Sequence, residues 1–299
     1  QAQTTTEVTT DATADSQEAT PATEALEWHA PVMVRIDEHT TIPHLLKERV
    51  QRGATRPLIL RKVGIGDTWR SITARDFYDE VQSVAAGLMA RGLEPGDRVA
   101  IMSRTRYEWT LLDFACWAAG LVPVPIYETS SIDQVAHVLV DADVHLIITE
   151  TVSMAEIVRA AAARENRGNT HVLSLDSEAI ETLIAEGSAT PRERVLARSE
   201  ALMKDDIATI VYTSGTTGTP KGTVLSHENF TNLCLNAHAW MPEIAAGKNS
   251  RLLLFLPLAH VFARFLQVFQ ISGNGVLGHA PNIKNLLPDL ASFRPSYLL

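Results

Sequence analysis

Between Arg98 and Leu175 the chain switches repeatedly between two hydrophobic periods, and that alternation restricts it to very few architectures. Apolar runs at Arg98 to Met102, Leu121 to Ile126, His145 to Thr149 and His171 to Leu175 read as buried strands. The intervening stretches, Tyr107 to Ala119, Ile132 to Val140 and Val152 to Ala163, carry helical spacing. Strands joined through helices do not pair as hairpins; they lie parallel, with the helices covering the sheet. Upstream, Thr73-x-x-Asp76 reads as a capping box for a helix whose residues Phe77, Val81, Val84, Ala85 and Leu88 keep the 3.6 period until Gly92 stops it. The turn Glu94-Pro95-Gly96-Asp97 follows. Charged helical material from Arg192 to Lys204 precedes the apolar run Ile207 to Val211, and Arg251 to Phe255 starts a second strand and helix series that runs to the C-terminus. The expected fold class is α/β with largely parallel sheets.

Charge and cysteine usage exclude several functions. Lys and Arg number 26 against 35 Asp and Glu, a net charge of −9. Six acids (Glu7, Asp11, Asp15, Glu18, Glu24 and Glu27) precede the first basic residue, Arg35, so the remainder is 26 − 29 = −3. Residues 1–27 have almost nothing to bury and read as a disordered acidic tail. Without a run of Lys or Arg, no nucleic-acid partner is expected. Cys116 and Cys234 stand 118 positions apart, which gives neither a disulfide framework nor a C-x-x-C site and fits a reducing, cytoplasmic setting. No apolar run precedes Arg35, so the start does not read as a secretory signal. The longest charge-free stretch, Phe265 to Ile283, is broken by Gln, Gly, Asn, His and Pro, and no transmembrane segment is expected. The last residues, Ser296 to Leu299, look like the opening of a buried strand, so the chain reads as stopping in mid-fold.

The stretch Tyr212-Thr213-Ser214-Gly215-Thr216-Thr217-Gly218-Thr219-Pro220-Lys221-Gly222 carries the chemistry. Five hydroxyl residues, three glycines and one lysine fall within positions 213–222, directly after a buried strand. Phosphate oxygens need close donors: Gly admits backbone N–H groups, Ser and Thr add directional O–H groups, and Lys adds a point charge. A polar hairpin between strands 207–213 and 222–225 would use the same residue types. The stretch is not a Walker A loop, because Lys221 is flanked by Pro220 and Gly222 where that pattern needs Gly before the lysine and a hydroxyl after it. Three other patterns carry no chemistry. Gly273-Asn274-Gly275-Val276-Leu277-Gly278 follows a helix and enters a strand, the reverse of a dinucleotide fingerprint. His227-Glu228-Asn229-Phe230-Thr231 lacks the second His of a zinc motif, and Ser226 reads instead as a helix N-cap. Asp205, Asp206, Tyr127 and Glu128 read as solvated loop residues.

Thr213 to Gly222 resembles the phosphate loop of the AMP-forming adenylate synthetases, which comprise acyl-CoA synthetases, firefly-type luciferases and peptide-synthetase adenylation domains. Two more stretches, Pro123-Val124-Pro125-Ile126-Tyr127-Glu128-Thr129-Ser130-Ser131 and Phe255-Leu256-Pro257-Leu258-Ala259-His260-Val261-Phe262-Ala263-Arg264, resemble the long-chain fatty acyl-CoA synthetase branch. The resemblance covers residues 28–299 and implies the layered αβαβα fold of those enzymes, as part of their large N-terminal domain. It implies ATP-dependent activation of a fatty acid to an acyl-adenylate, then thioester formation with coenzyme A, with Mg²⁺ bridging phosphate oxygens. On this likeness Thr213, Ser214, Gly215, Thr216, Thr217, Gly218 and Lys221 bind the nucleotide, and Thr213 is the protein-side metal ligand. Lys221 and His260 are the catalytic candidates, with Phe255, Val261 and Phe265 shaping the surroundings of His260. By residue type alone, a His beside Val261 and Phe262 reads equally as a core histidine. The amphipathic product leaves room for peripheral membrane contact. The family's Tyr-Gly-x-Thr-Glu and Thr-Gly-Asp segments, hinge and C-terminal Lys do not occur in these 299 residues. Two readings therefore stand: part of a long-chain acyl-CoA ligase, or a catalytically incompetent fragment that binds nucleotide weakly or serves as an interaction module.

Overall fold

The computed structural model describes residues 31–64, 66–213, 220–245, 247 and 250–299, and Met33–Leu299 forms one compact unit. The expected tail, residues 1–27, lies outside the described residues. The helices are α1 Ile42–Gly53, α2 Ala74–Ala90, α3 Tyr107–Ala118, α4 Ile132–Asp141, α5 Val152–Arg164, α6 Ala179–Gly187, α7 Arg192–Ala201, α8 His227–Trp240, α9 Pro242–Ala245, α10 Val261–Ser272 and α11 Leu286–Phe293. The strands are β1 Pro57–Lys62, β2 Trp69–Thr73, β3 Arg98–Met102, β4 Val122–Ile126, β5 Val144–Thr149, β6 His171–Ser174, β7 Ile207–Thr213, β8 Lys221–Ser226, β9 Arg251–Leu254 and β10 Val276–His279.

Local chemistry starts the helices where the sequence places them. Thr73 and Asp76 form the reciprocal capping box of α2, Ser131 and Gln134 that of α4, and Ser226 and Asn229 that of α8. Gly92, just beyond α2, has φ +81°, a conformation that costs glycine nothing.

One sheet has the order β4-β3-β5-β6 and is parallel throughout. A second has the order β2-β1-β10-β9, with β2 antiparallel to β1 and the other pairs parallel. Residue alternation along the strands assigns the layers. Val99, Ile101, Leu146 and Ile148 join a core with α1, α2, α3 and α10, and Ile59, Leu252, Leu254 and Leu277 of the second sheet close that core from the other side. Ala100, Met102, Val124 and Ile147 face α4 and α5 instead. On the far face of the second sheet, Leu60 and Leu253 pack with Phe293 and Leu290 of α11. The order is helix, sheet, helix, sheet, helix, the αβαβα arrangement.

Two prolines decide where the first sheet ends. Pro123 and Pro125 are two apart on β4, so the N–H groups they lack would all have pointed to the same edge. Parallel pairing with β3 uses the opposite edge. Deprived of donors, the outer edge of β4 takes no further ladder; β7 lies beside it and meets it through a side chain, Thr209 Oγ1 donating to Pro123 O at 2.7 Å. The pair β7 and β8 is a separate antiparallel hairpin.

Ser296–Leu299 does not form the expected buried strand. Ser296 N–H donates to Arg251 O at 3.0 Å, but the backbone then leaves β9, and Leu298 and Leu299 are 53% and 54% exposed. Among the described residues nothing covers that face, so burial gives those leucines no reason to stay in register.

Candidate active site

The carboxyl ends of parallel strands, where loops meet helix N-termini, are where such sheets present ligand sites. A cleft of about 410 Å³ opens there, and it unites the three sequence stretches singled out above. Its walls include Tyr127, Thr129 and Ser130 after β4, Val211 to Thr213 at the end of β7, Pro220 before β8, and His260 with Val261 at the start of α10.

Strands β7 and β8 flank the hydroxyl-rich stretch and pair with each other. Thr213 pairs with Lys221 across the ladder and Tyr212 with Gly222, so the two strands of the expected hairpin form on either side of the stretch. Ser214, Gly215, Thr216, Thr217, Gly218 and Thr219 lie outside the described residues. Helix α4 holds both ends of the loop through residues one turn apart. His137 Nε2–H donates to Pro220 O at 2.7 Å, and the Tyr212 hydroxyl donates to Asp141 Oδ2 at 2.6 Å. His137 also meets Tyr212 edge to face, with centroids 5.7 Å apart. Burial and the Asp141 carboxylate push the Tyr212 phenol up, so it stays a hydrogen-bond donor at neutral pH. Thr213 and Lys221 are both exposed; Thr213 lines the cleft, whereas Lys221 begins β8 opposite it and is not among the lining residues.

His260 is not a core histidine. It is exposed at the N-cap of α10, where its Nδ1 accepts from the Phe262 N–H at 3.2 Å. With Nδ1 used as an acceptor, the neutral ring carries its hydrogen on Nε2. The cleft therefore receives an imidazole N–H together with the positive end of a helix of 12 residues, both favouring an anion. Val261 lines the cleft as expected. Phe255 and Phe265 do not; they pack against the cores on either side of the second sheet.

Sequence reasoning missed the residues that fix these elements to one another. Arg264, on the second turn of α10, is fully buried. Its guanidinium donates to both oxygens of the equally buried Asp113 on α3, at 3.0 Å from Nε and 2.5 Å from Nη2, and also to Thr209 Oγ1 on β7. Gln267 Nε2 adds a bond to Asp113 Oδ2 at 2.5 Å. The guanidinium carbon lies 5.5 Å and 5.4 Å from the ring centroids of Trp109 and Trp117. Because Thr209 passes its own hydrogen to Pro123 O, one cation links the helix that carries His260, the strand that ends in Thr213 and the strand that leads to Tyr127. A lone acid in the apolar stretch Thr110 to Ala119, and a lone Arg just before the charge-free stretch from Phe265, were the available signals. Separation by 151 positions hid their pairing.

Two largely parallel sheets separated by helices, with the ends of the β7 and β8 hairpin and a helix N-terminus opening on one cleft, define the N-terminal domain of an adenylate-forming enzyme. The AMP-binding enzyme family matches residues 46–294, and the chain belongs to that family. It is 36% identical over 275 residues to the long-chain-fatty-acid–CoA ligase FadD15 of Mycobacterium bovis, a match covering 91% of this chain and 45% of that protein. The chain thus spans less than half the length of this curated relative. Among solved structures, the fatty acyl CoA synthetase of Mycobacterium tuberculosis superposes with a TM-score of 0.70 at 24% identity, over 84% of this chain and 47% of that one. The N-terminal subdomain of Klebsiella oxytoca NpsA, solved in complex with 3-hydroxybenzoyl-AMSN, superposes with a TM-score of 0.67 at 23% identity, over 86% of this chain and 59% of that one. These two likenesses concern the fold. Among the described residues no helix is long and apolar enough to cross a membrane.

Proposed function

We propose that this chain is the N-terminal part of a long-chain fatty acid–CoA ligase of the AMP-forming type. The observation that carries the reading is the convergence of Thr213, Pro220, Tyr127, Thr129, Ser130 and His260 on one cleft from segments far apart in the sequence. In this reading the fatty carboxylate attacks the α-phosphorus of ATP and releases pyrophosphate, and the coenzyme A thiolate then displaces AMP from the acyl-adenylate. Both ends of the reaction place negative charge on oxygens, and fixed donors act where that charge develops. His260 Nε2–H and the α10 N-terminus meet the carboxylate or α-phosphate oxygens. Thr213, Lys221 and the loop between them hold the outer phosphates.

When bound here, Mg²⁺ would supply neutralisation of the negative charge on the substrate phosphates. The described residues contain no group of three metal-ligating His, Cys, Asp or Glu side chains, and Mg²⁺ is commonly held by few protein oxygens plus substrate phosphates. Thr213 is the residue of this cleft that would contribute a protein oxygen.

A second reading, a fragment that binds nucleotide without turnover, follows from the same cleft and the 45% span of the relative. Titration calorimetry of the 299-residue chain with ATP and Mg²⁺ tests the site, alongside an assay of acyl-CoA formation from palmitate, ATP and coenzyme A. ATP binding that weakens about tenfold or more in Lys221→Ala, and also falls in His260→Ala, supports the cleft. Binding equal to wild type in both variants refutes it. Binding without turnover selects the fragment reading, and turnover by this chain alone rejects it.

A further inference from the structure

A second cleft, of about 300 Å³, lies outside the site described above. It is lined by Arg61 and Lys62 at the end of β1, Arg104 and Arg106 just after β3, Glu150 just after β5, and His279 at the end of β10.

Its position follows from the strand order. In the sheet β4-β3-β5-β6 the chain leaves β3 toward β4, then crosses over to place β5 on the other side of β3. The connections from β3 and β5 depart in opposite directions, and the crevice between their carboxyl ends is the topological switch point, where open parallel sheets bind ligands. Arg104 and Glu150 are the residues at that crevice.

The charges alternate along the wall. Arg61 donates to Glu108 Oε1, and Arg106 Nε to Glu108 Oε2 at 2.6 Å. Arg106 Nη1 then reaches Glu150 Oε1 at 3.5 Å. Arg104 closes the series on Glu150 with Nη2 at 2.5 Å, Nε at 3.0 Å and its backbone N–H at 2.8 Å. Three guanidiniums thus serve two carboxylates. Lys62 is paired separately with the buried Asp289, and the Tyr107 hydroxyl donates to Glu80.

Exposure is divided by sign. The Glu108 and Glu150 side chains are 11% and 2% exposed, whereas those of Arg61 and Arg104, at the two ends of the series, are 41% and 46% exposed. Burial pushes both carboxyls up, but the guanidinium bonds outweigh it and hold both below the usual carboxylate range, so the network stays ionised at neutral pH. A ligand entering the cleft meets guanidinium N–H groups held in place from behind by hidden carboxylates. Arg61 is further steadied by lying 4.6 Å from the Tyr107 ring centroid. The first turn of α3 contributes Tyr107 and Glu108 to the wall, and its N-cap, Arg106, has no side-chain capping bond. All this stands on a chain whose net charge is −9.

We propose that this switch-point cleft is a second anion site, built to take a phosphoryl group through Arg61, Arg104 and Arg106. Fork-shaped guanidiniums fixed by carboxylates suit the several equivalent oxygens of a phosphate better than a single-point anion. The group could be supplied by free phosphate, by pyrophosphate or by a phosphate ester carried on a larger molecule; the chemistry of recognition is common to the three. The proposal does not depend on the ligase reading, because none of its residues lines the first cleft.

The test is titration of the 299-residue chain with sodium phosphate, sodium pyrophosphate and coenzyme A in separate arms, each at low and at high KCl. Arg61→Gln changes a half-exposed side chain, and Arg61→Glu reverses its charge while leaving Arg104 and Glu150 paired; near-UV circular dichroism and thermal melting report that both remain folded. With both Arg61 changes made in a Lys221→Ala background, where the first cleft contributes least, binding in at least one arm at millimolar concentration or tighter, about tenfold weaker on Arg61→Gln and weaker again on Arg61→Glu, is expected. Salt should weaken it further. The arm that binds names the source. Absence of binding in all three arms at about 10 mM overturns the proposal, and so does binding indifferent to both Arg61 changes in that background.

Discussion

Replacing Arg264 with Met removes the cation that ties α10, α3 and β7 together while keeping most of the side-chain volume. The Asp113 carboxylate, 0% exposed, is then left with Gln267 as its remaining side-chain donor. Burial already pushes the Asp113 carboxyl up against the pull of Arg264, so losing the guanidinium favours a neutral, protonated acid at the cost of leaving its ordinary ionisation range. Breaking one partner out of a buried pair costs about 3–5 kcal/mol, and the two tryptophan faces lose a cation as well. Taking about 4 kcal/mol against a total stability of roughly 5–15 kcal/mol, Arg264→Met should lower the urea midpoint by roughly 1.3 M at a slope near 3 kcal/mol per M. The measurement is equilibrium urea unfolding followed by tryptophan fluorescence. Combining Arg264→Met with Asp113→Leu removes the stranded charge and should restore at least half of the loss, because a buried pair contributes little relative to apolar residues of similar volume. If Arg264→Met costs less than about 1 kcal/mol, or the double variant is no better than the single one, the claim that a stranded carboxylate dominates this network fails.

Two further outcomes follow from particular contacts. At Gly187, in α6, an added Cβ would stand 2.4 Å from Gly87 N and 2.7 Å from Ala86 C, so Gly187→Ala should cost about 1–3 kcal/mol or more because backbone must move. Gly168→Ala, with nothing within 4 Å of the added atom, should leave thermal melting nearly unchanged, and equal melting of the two variants would contradict the packing argument. Burial lowers His227 from 6.5 to about 3, with its Nδ1 accepting from the Ile42 N–H at 3.3 Å. Between those values the unfolded chain binds the extra proton, so this contribution to stability is complete above pH 6.5 and declines as pH falls toward 3. His227→Gln should flatten urea midpoints measured between pH 7 and pH 4, and an unaltered slope would show that the ring is not buried neutral.

What the residues alone determined was whatever depends on neighbours along the chain. Hydrophobic period placed β3 to β6 and α2 to α5 within a residue or two, because burial on one face or two leaves its spacing in the sequence. Capping at Thr73 and Ser226 was legible for the same reason: the partners sit three residues away. The composition of the 213–222 loop, with its three glycines and single lysine, was likewise local. The fate of Ser296–Leu299 was misread, since an apolar run becomes a strand only where an edge and a covering layer exist to hold it.

Tertiary structure decided everything that depends on distant partners. It brought His260 out of the core and set it on the same cleft as Thr213, which no periodicity encodes. It joined Arg264 to Asp113 and gathered Arg61, Arg104, Arg106 and Glu150 around the switch point of a sheet whose strand order is invisible in one dimension. Charged groups betray their burial only through partners, and those partners lie dozens to more than a hundred residues away. Local propensity acts over a few residues, whereas electrostatic satisfaction in a dry interior is settled only after the sheets and helices have packed.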